Sequence, residues 1–399
     1  MTPDAYPPKL DQLQRGALLA CAVGLVACGV GLFTQPQQFF RSYLFAFLFW
    51  VGIAVGSLGI SMIHHLAGGR WGLMILRILE AATRTLPVLA LLFLPLVFGL
   101  SQLYPWAQPG RVATDALLQH KSSYLNVPFF LGRAVFYFAV WSLLAHLLSK
   151  WTRAIDEGGD HQAISKKLQG LSGGGLVVMA LTITLAAVDW AMSLSPHWFS
   201  TVYGILFIVG QCLSALAFVV VLMAGFADEK PFAGLVRREQ IQDLGKLLLA
   251  FVMLWAYINF SQFLITWSAN LPEEIPWYLR RSQGGWQWLG AALVLFHFAL
   301  PFLLLLSRDL KRNAGLLGSV AGVILVFRMA DVFWLVAPET AQAHGAGQAA
   351  GFSVHWLDLA ALLAVGGLWL LAFVRELRGR SLLPTGEPEM RELLEAAVE

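Results

Sequence analysis

The chain has few charges, few cysteines and no cluster of basic residues. Only 13% of its 399 residues are charged, and the formal net charge is +3. The basic residues are spread over many loops, which speaks against nucleic-acid binding. The three cysteines, Cys21, Cys28 and Cys212, lie within apolar runs without C-x-x-C spacing. This pattern argues against disulfides, zinc, iron–sulfur ligation and covalent haem.

The sequence also lacks the motifs of common enzyme classes. It contains no Walker A loop, no H-E-x-x-H and no nucleophile elbow, and no catalytic residue can be assigned. His146 and His297 stand singly on apolar runs, without the repeated pair that a b-type haem requires, so a buried histidine with its hydrogen bonds satisfied is the default interpretation for each. We predict that the chain binds no metal or redox cofactor through ligands of its own.

Long apolar runs are what the sequence has in abundance. Hydrophobic residues make up 58% of the chain and form runs of about 20 residues without strict alternation, which predicts transmembrane helices. The predicted spans are 16–33, 43–66, 73–100, 129–149, 174–194, 200–226, 246–268, 286–306, 315–337 and 354–374. We therefore predict an all-α polytopic membrane protein, with one ten-helix domain over residues 1–374. A polar tail, 375–399, follows it, with a short surface helix over 387–398.

The charges of the loops predict the orientation in the membrane. Most Lys and Arg residues outside the spans fall on the side of both termini, so the positive-inside rule places the termini and the tail in the cytoplasm. The turn from Asp189 to Trp198 and the loop from Pro338 to Ser353 then face outward. Several tryptophans near the outer span ends are predicted to anchor the protein at the interface, namely Trp106, Trp198, Trp277, Trp286 and Trp356.

A weak internal repeat relates residues 43–194 to residues 200–337. One half ends with Asp189 and has Pro196 seven residues later, and the other ends with Asp331 and has Pro338 at the same offset. The order of these features predicts two parallel four-helix bundles, with the first and last spans flanking them.

Several ionisable residues lie inside the outer halves of the spans. A charged carboxylate in hydrocarbon costs about 2.5–3.5 kcal/mol, so each one requires a partner or a role. Asp189 has no basic residue one turn away, which makes Arg133 on the preceding span its natural partner. Arg328 is spaced to pair with Asp331, and His355 with Asp358. Structural ion pairs and a proton path through Asp189, Asp331, Asp358 and His355 are both open interpretations.

A second polar group lies near the cytoplasmic side. Arg77, Glu80 and Arg84 share one helical face and can pair within their span, which would neutralise the start of that helix. The functional alternative is proton uptake through Glu80 together with His64 or His65. These two histidines point about 100° apart on one helix, so at most one can face a given pocket.

Five segments of the chain resemble the ActF subunit of the bacterial alternative complex III. They are RSYLFAFLFW (41–50), HHLAGGRWG (64–72), DWAMSLSPHWFST (189–201), NLPEEIPWYLRR (270–281) and FHFALPF (296–302). The resemblance covers nearly the whole chain, and ten spans are expected for the NrfD-like fold of that subunit and its sister ActC.

The resemblance implies an integral subunit of a quinol-oxidising respiratory complex in the bacterial cytoplasmic membrane. Its partners would be an ActC-like NrfD-type subunit and subunits with iron–sulfur clusters and haem c, followed by cytochrome c or a terminal oxidase. The chain would anchor the complex and conduct protons, with no redox centre of its own; whether it acts as an enzyme stays open. The quinol site of this family lies chiefly in the sister subunit, so a quinone is only a possible ligand.

A free-standing secondary transporter is the alternative function. The internal duplication, the polar groups within the spans and the even number of spans would all suit such a protein.

Overall fold

A computed structural model describes residues 6–342 and 351–395 of the chain. This part of the protein is mostly helical and contains no strand, and ten of its helices are long and apolar enough to cross a membrane. The predicted fold class is confirmed. The ten helices are α1 (Pro8–Thr34), α2 (Pro36–Ala67), α3 (Leu76–Phe98), α4 (Val127–Asp156), α5 (His161–Trp190), α6 (Tyr203–Phe226), α7 (Arg238–Ala269), α8 (Trp286–Leu306), α9 (Ala314–Gln342) and α10 (Trp356–Arg378).

Several helices extend beyond the apolar runs that predicted them. α1 begins at Pro8, so residues 8–15 form its first turns and are not a polar segment outside the helix. α9 continues through Pro338 to Gln342, so the predicted loop from Pro338 is wrong in its first part, and residues 343–350 lie outside the described chain. Proline can occur within membrane helices because neighbouring groups satisfy the freed carbonyl.

α2 and α6 form the centre of the bundle. In the most apolar 18-residue stretch of each helix, 94% of α2 and 78% of α6 is buried, against 22% of α7 and 22% of α8. The two central helices approach closely at Gly56, where an added Cβ would overlap the backbone of Gln211. Small residues allow this kind of backbone contact between membrane helices.

The two halves of the chain show the same pattern of helix contacts. In the first half, α2 packs against α3 and α5, while α4 lies against α3 and α5. In the second half, α6 packs against α7 and α9, while α8 lies against α7 and α9. α1 and α10 pack on each other beside α2. The order of helix packing is thus alike in the two halves, and the repeat itself stays a prediction.

Two of the long helices are irregular. α3 consists of three short helical segments, with Pro87 and Pro95 at the beginnings of the second and third. α8 contains a π-helical turn from Leu293 to Ala299, directly before Pro301. Both interruptions lie within the spans, where they change the direction of the side chains on either side.

The two ends of the described chain meet at one face of the bundle, which we call the terminal face. The Tyr6 hydroxyl donates to the carbonyl of Arg378 at 2.5 Å. Residues 379–395 fold back onto this face instead of extending from it, and they bury Leu382, Leu383, Met390 and Leu393. The predicted surface helix is confirmed within the described chain as Pro388–Glu395, but it is part of the packed structure.

Four of the five tryptophans predicted as anchors point into the protein, at the face opposite the terminal face, which we call the opposite face. Trp106, Trp198, Trp277 and Trp286 are at most 5% exposed, whereas Trp356 is 47% exposed. The Trp198 and Trp277 rings stack with a centroid distance of 4.9 Å. The prediction of interfacial anchoring is therefore wrong for the four buried rings, because the loops of this face provide enough apolar surface to enclose them.

Candidate functional site

Asp189 and Arg133 form a closed ion pair in the first half of the bundle. Asp189 is 0% exposed near the end of α5. The Arg133 guanidinium donates to both of its carboxylate oxygens at 2.8 Å, and the Tyr137 hydroxyl donates to Oδ2, also at 2.8 Å. The predicted pairing of Asp189 with Arg133 is confirmed, and each oxygen of the carboxylate has a donor.

Aromatic rings fill the space around this pair. The Trp190 ring packs against Phe138 and Trp141 at centroid distances of 5.7 and 5.9 Å. On the other side, the Arg133 guanidinium lies 3.8 Å from the ring centre of Tyr124 and donates to its carbonyl. Burial raises the pKa of Tyr124 to about 12, and the negative charge of Asp189 adds to this shift. Packed rings and a backbone carbonyl thus enclose the pair on both sides.

Asp331 and Arg328 form a second pair, in the other half of the bundle. Both residues are at most 1% exposed, and Arg328 donates to Oδ2 of Asp331. The predicted pairing one turn apart on α9 is confirmed. The indole of Trp255 donates to the same oxygen at 3.0 Å, whereas Oδ1 has no hydrogen-bond partner in the described chain.

His297 is buried next to this second pair. Its imidazole is 0% exposed and meets the Trp255 ring edge to face, with a centroid distance of 4.3 Å. It lies on the π-helical turn of α8. Neither ring nitrogen has a hydrogen-bond partner among the described residues, and His146 is exposed, so the expectation of a satisfied buried histidine is wrong for both. The His297 imidazole lies beside the Asp331 network.

A third buried acid, Glu339, was missed by the sequence analysis. It accepts from Arg281 at 2.6 Å, from Arg280 at 2.9 Å and from the hydroxyl of Ser195. Burial lowers the pKa of Arg281, which the adjacent Glu339 carboxylate opposes. Glu339 stands two helical turns after Asp331, a spacing that would have revealed it had α9 not been expected to end before Pro338.

The opposite face also contains a polar cavity of about 860 Å³, lined in part by Arg280, Ser195 and Glu339. At its rim, His197 lies 2.7 Å from Asp115, which also accepts from backbone N–H groups of the short helix that it caps. Desolvation acts to raise the pKa of Asp115, but the hydrogen bonds from His197 and from these N–H groups outweigh it and hold that pKa below its usual value.

Asp358 and His355 do not form the predicted side-chain pair. The backbone N–H of His355 donates to Asp358 at 2.8 Å, while the His355 imidazole accepts from the N–H of Leu357. The two side chains instead cap the start of α10 reciprocally. The second oxygen of Asp358 accepts from the Ser42 hydroxyl at 2.5 Å, so this carboxylate is bonded between α10 and α2.

A four-residue charged cluster lies at the terminal face. Arg77 bonds Glu80 at 2.6 Å, as predicted, and also Asp156 at 2.5 Å. Arg380, from the segment after α10, completes the cluster with contacts to Glu80 at 2.9 Å and Asp156 at 3.3 Å. Burial lowers the pKa of Arg380, although Glu80 counteracts it. The sequence analysis missed Arg380 because the tail was expected to stand apart.

Arg84 belongs to a different pair from the one predicted. Its guanidinium bonds Glu376 of α10 at 2.7 Å, and its backbone N–H donates to the Glu80 carbonyl at 3.1 Å. The helical spacing is kept, but the Glu80 carboxylate is bonded by Arg77 and Arg380 instead of Arg84.

His64 and His65 lie near the cluster without joining it. His64 is buried and meets the Trp71 ring at a centroid distance of 5.0 Å. Both imidazoles are close enough to Glu80 to interact with its charge, but neither forms a hydrogen bond with it. Glu80 and the two histidines predicted for proton uptake thus lie near one another but are not joined by hydrogen bonds.

Together, these features define a multi-pass membrane protein that buries ion pairs near both ends of its helices. Among residues 6–342 and 351–395, no three His, Cys, Asp or Glu side chains are grouped to hold a metal ion. No protein-family model matches the chain, and no curated protein is significantly similar to it.

Proposed function

We propose that the chain is an integral membrane subunit of a quinol-oxidising respiratory complex of the alternative complex III type. It would lie in a bacterial cytoplasmic membrane, with its terminal face in the cytoplasm. Its partners would be an ActC-like subunit and subunits that carry iron–sulfur clusters and haem c. The chain would anchor these partners and conduct protons, while their cofactors carry the electrons.

One observation carries this proposal. Two of the segments that resemble the ActF subunit, 189–201 and 270–281, are distant in sequence but meet at the opposite face. Trp198 of the first stacks on Trp277 of the second, and Arg280 donates to Ser195 at 3.3 Å. The resemblance therefore falls on residues that build one region, which supports a shared architecture more strongly than scattered similarity would.

Proton conduction is the part of the proposal that concerns individual residues. Asp331 is the better candidate of the two main acids, because its Oδ1 has no donor in the described chain and can accept a proton while Oδ2 keeps its bonds. Asp189 has donors on both oxygens, and protonating it would displace one. Glu80, at the other end of the bundle, would exchange protons with the cytoplasm.

Affinity purification of the tagged chain from native membranes in a mild detergent tests the assignment. We expect haem c and iron–sulfur subunits to co-purify, together with quinol-dependent reduction of cytochrome c or of a terminal oxidase. A solitary monomer or homodimer would overturn the proposal and favour a secondary transporter.

Proton conduction is tested in the reconstituted complex. Asp331→Asn is expected to lower the number of protons translocated per electron while the complex still assembles. Asp243→Asn is a suitable control because Asp243 forms only an exposed pair with Lys246. An unchanged ratio in Asp331→Asn would remove the conducting role of Asp331 and leave the anchoring role standing.

A further inference from the structure

A cavity of about 330 Å³ opens near the terminal face, between α3, α4 and α10. α3 contributes Arg84 and Pro87 to its lining, α10 contributes Glu376, and the last turns of α4 form most of the remaining wall. Neither Asp189 nor Asp331 lines it. Its volume lies within the range of about 300–1,000 Å³ that is usual for small-molecule sites.

Positive charge predominates in this cavity. Lys150 and Arg153 are exposed on its α4 wall and form no ion pair with any residue of the described chain. On the other wall, Arg84 bonds Glu376 at 2.7 Å, and Glu376 is the only carboxylate among the lining residues of the described chain. Three cations therefore face one carboxylate, which leaves two positive charges for an anion to balance.

The basic residues continue an exposed stripe along α4. His146, Lys150 and Arg153 stand at i, i+4 and i+7 and share one face of the helix. Toward the middle of the membrane the same face presents Leu143 and Phe136, each more than half exposed. The stripe thus changes from apolar to basic at the level of the cavity.

A second exposed stripe runs along α3 and begins at the cavity. It consists of Pro87, Leu91, Leu94 and Phe98, which follow one another at intervals of four, three and four residues, and the last three are more than half exposed. The two stripes meet at the cavity, because Pro87 and His146 both line it. Apolar surface that faces lipid therefore leads from both helices to the basic residues.

The combination of charge and apolar surface defines the ligand. A phosphodiester carries one negative charge and accepts hydrogen bonds from Lys and Arg side chains. A zwitterionic headgroup would bring a further cation to a cavity that already has two unbalanced ones. Acyl chains attached to the phosphate would cover the two apolar stripes. Basic pockets between membrane helices bind anionic headgroups in this way.

We propose that this cavity binds the phosphate headgroup of an anionic phospholipid, whose acyl chains lie along the exposed stripes of α3 and α4. The phosphate contacts Lys150 and Arg153, while Arg84 stays bonded to Glu376. All these residues belong to this chain, and the site involves no electron or proton transfer. The inference therefore goes beyond the proposed function and does not depend on it.

Native mass spectrometry of the delipidated full chain in detergent tests the site, with dioleoyl phosphatidylglycerol as the probe. Dioleoyl phosphatidylcholine is the matched comparison, because it has the same phosphate and chains but carries an additional cation. We expect phosphatidylglycerol to bind at least about tenfold more tightly. Equal affinities would show an unselective lipid surface and would overturn the proposal.

Glycerophosphoglycerol, which is the same headgroup without chains, separates a lipid site from a site for soluble phosphate esters. We expect an excess of about a hundredfold to leave the bound lipid in place, because this molecule gains nothing from the apolar stripes. Displacement of the lipid would assign the cavity to a soluble phosphate compound and overturn the lipid assignment.

A matched pair of double variants locates the binding. Lys150→Gln with Arg153→Gln removes the two unpaired cations and is expected to weaken phosphatidylglycerol binding by about tenfold or more. Lys166→Gln with Lys167→Gln is the control, since it removes the same charge from exposed residues near the start of α5 that do not line the cavity. Wild-type affinity in the first double variant, or equal losses in both, would also overturn the proposal.

Discussion

The two halves of the bundle each bury an aspartate against an arginine, but they bond that aspartate differently. Asp189 receives donors on both oxygens, from Arg133 and Tyr137, and aromatic rings occupy the space around it. Asp331 receives Arg328 and Trp255 on a single oxygen, and its other oxygen has no hydrogen-bond partner in the described chain.

This difference in hydrogen bonding suits the two carboxylates to different tasks. A carboxylate with donors on both oxygens joins helices, as Asp189 joins α4 and α5. A carboxylate with one open oxygen can bind a proton without losing its arginine. From the sequence both acids were candidates for a proton path, and the geometry favours Asp331.

The largest effect on the free energy of unfolding is expected when each of the two aspartates is replaced by asparagine. Asp189→Asn should lower the free energy of unfolding by about 3–5 kcal/mol, because it leaves Arg133 without its anion. It also forces the new amide NH₂ against a donor. Asp331→Asn can place its NH₂ at the open Oδ1 position, so its cost should be smaller by about 1–3 kcal/mol. Unfolding by SDS in mixed micelles measures both values, and equal costs would remove the distinction.

A smaller effect is expected from removing one donor of the closed pair. Tyr137→Phe deletes the hydroxyl that donates to Asp189 and should cost about 1 kcal/mol in the same unfolding assay. Tyr257→Phe provides the control, because Tyr257 is exposed and its change should leave the free energy of unfolding unaltered. No loss in Tyr137→Phe would mean that Arg133 alone satisfies the carboxylate.

The smallest effect on the free energy of unfolding is expected at the cavity between α7, α8 and α9, in the second half of the chain. Val294→Phe should change the free energy of unfolding by no more than about 0.5 kcal/mol, because its larger ring has room at the cavity mouth. A cost above about 1 kcal/mol would indicate that the second half is packed as tightly as the first.

The sequence was sufficient for the features that depend on local spacing. Apolar run lengths predicted the ten spans, and i, i+3 spacing predicted the pairs Arg77–Glu80 and Arg328–Asp331. The contact between Asp189 and Arg133 followed by elimination, because an isolated acid in a span requires a cation from elsewhere. These inferences needed only helix geometry and the cost of burying a charge.

Features that depend on tertiary contacts escaped the sequence analysis. Glu339 was assigned to a loop because Pro338 was expected to end α9, and its partners Arg280 and Arg281 lie on a separate loop helix. The four buried tryptophans resemble interfacial anchors in sequence, since the residue type is the same in both settings. Only the fold of the intervening loops decides whether such a ring faces lipid or protein.

The position of Arg380 has a consequence for the biosynthesis of the protein. The ribosome makes this residue after all ten spans, so Glu80 and Asp156 enter the membrane with Arg77 as the only arginine of their cluster. When Arg380 arrives, two cations balance two carboxylates. The charge of this cluster is thus balanced only once translation has passed α10, so the last contacts between α3 and α4 at this face await the end of the chain.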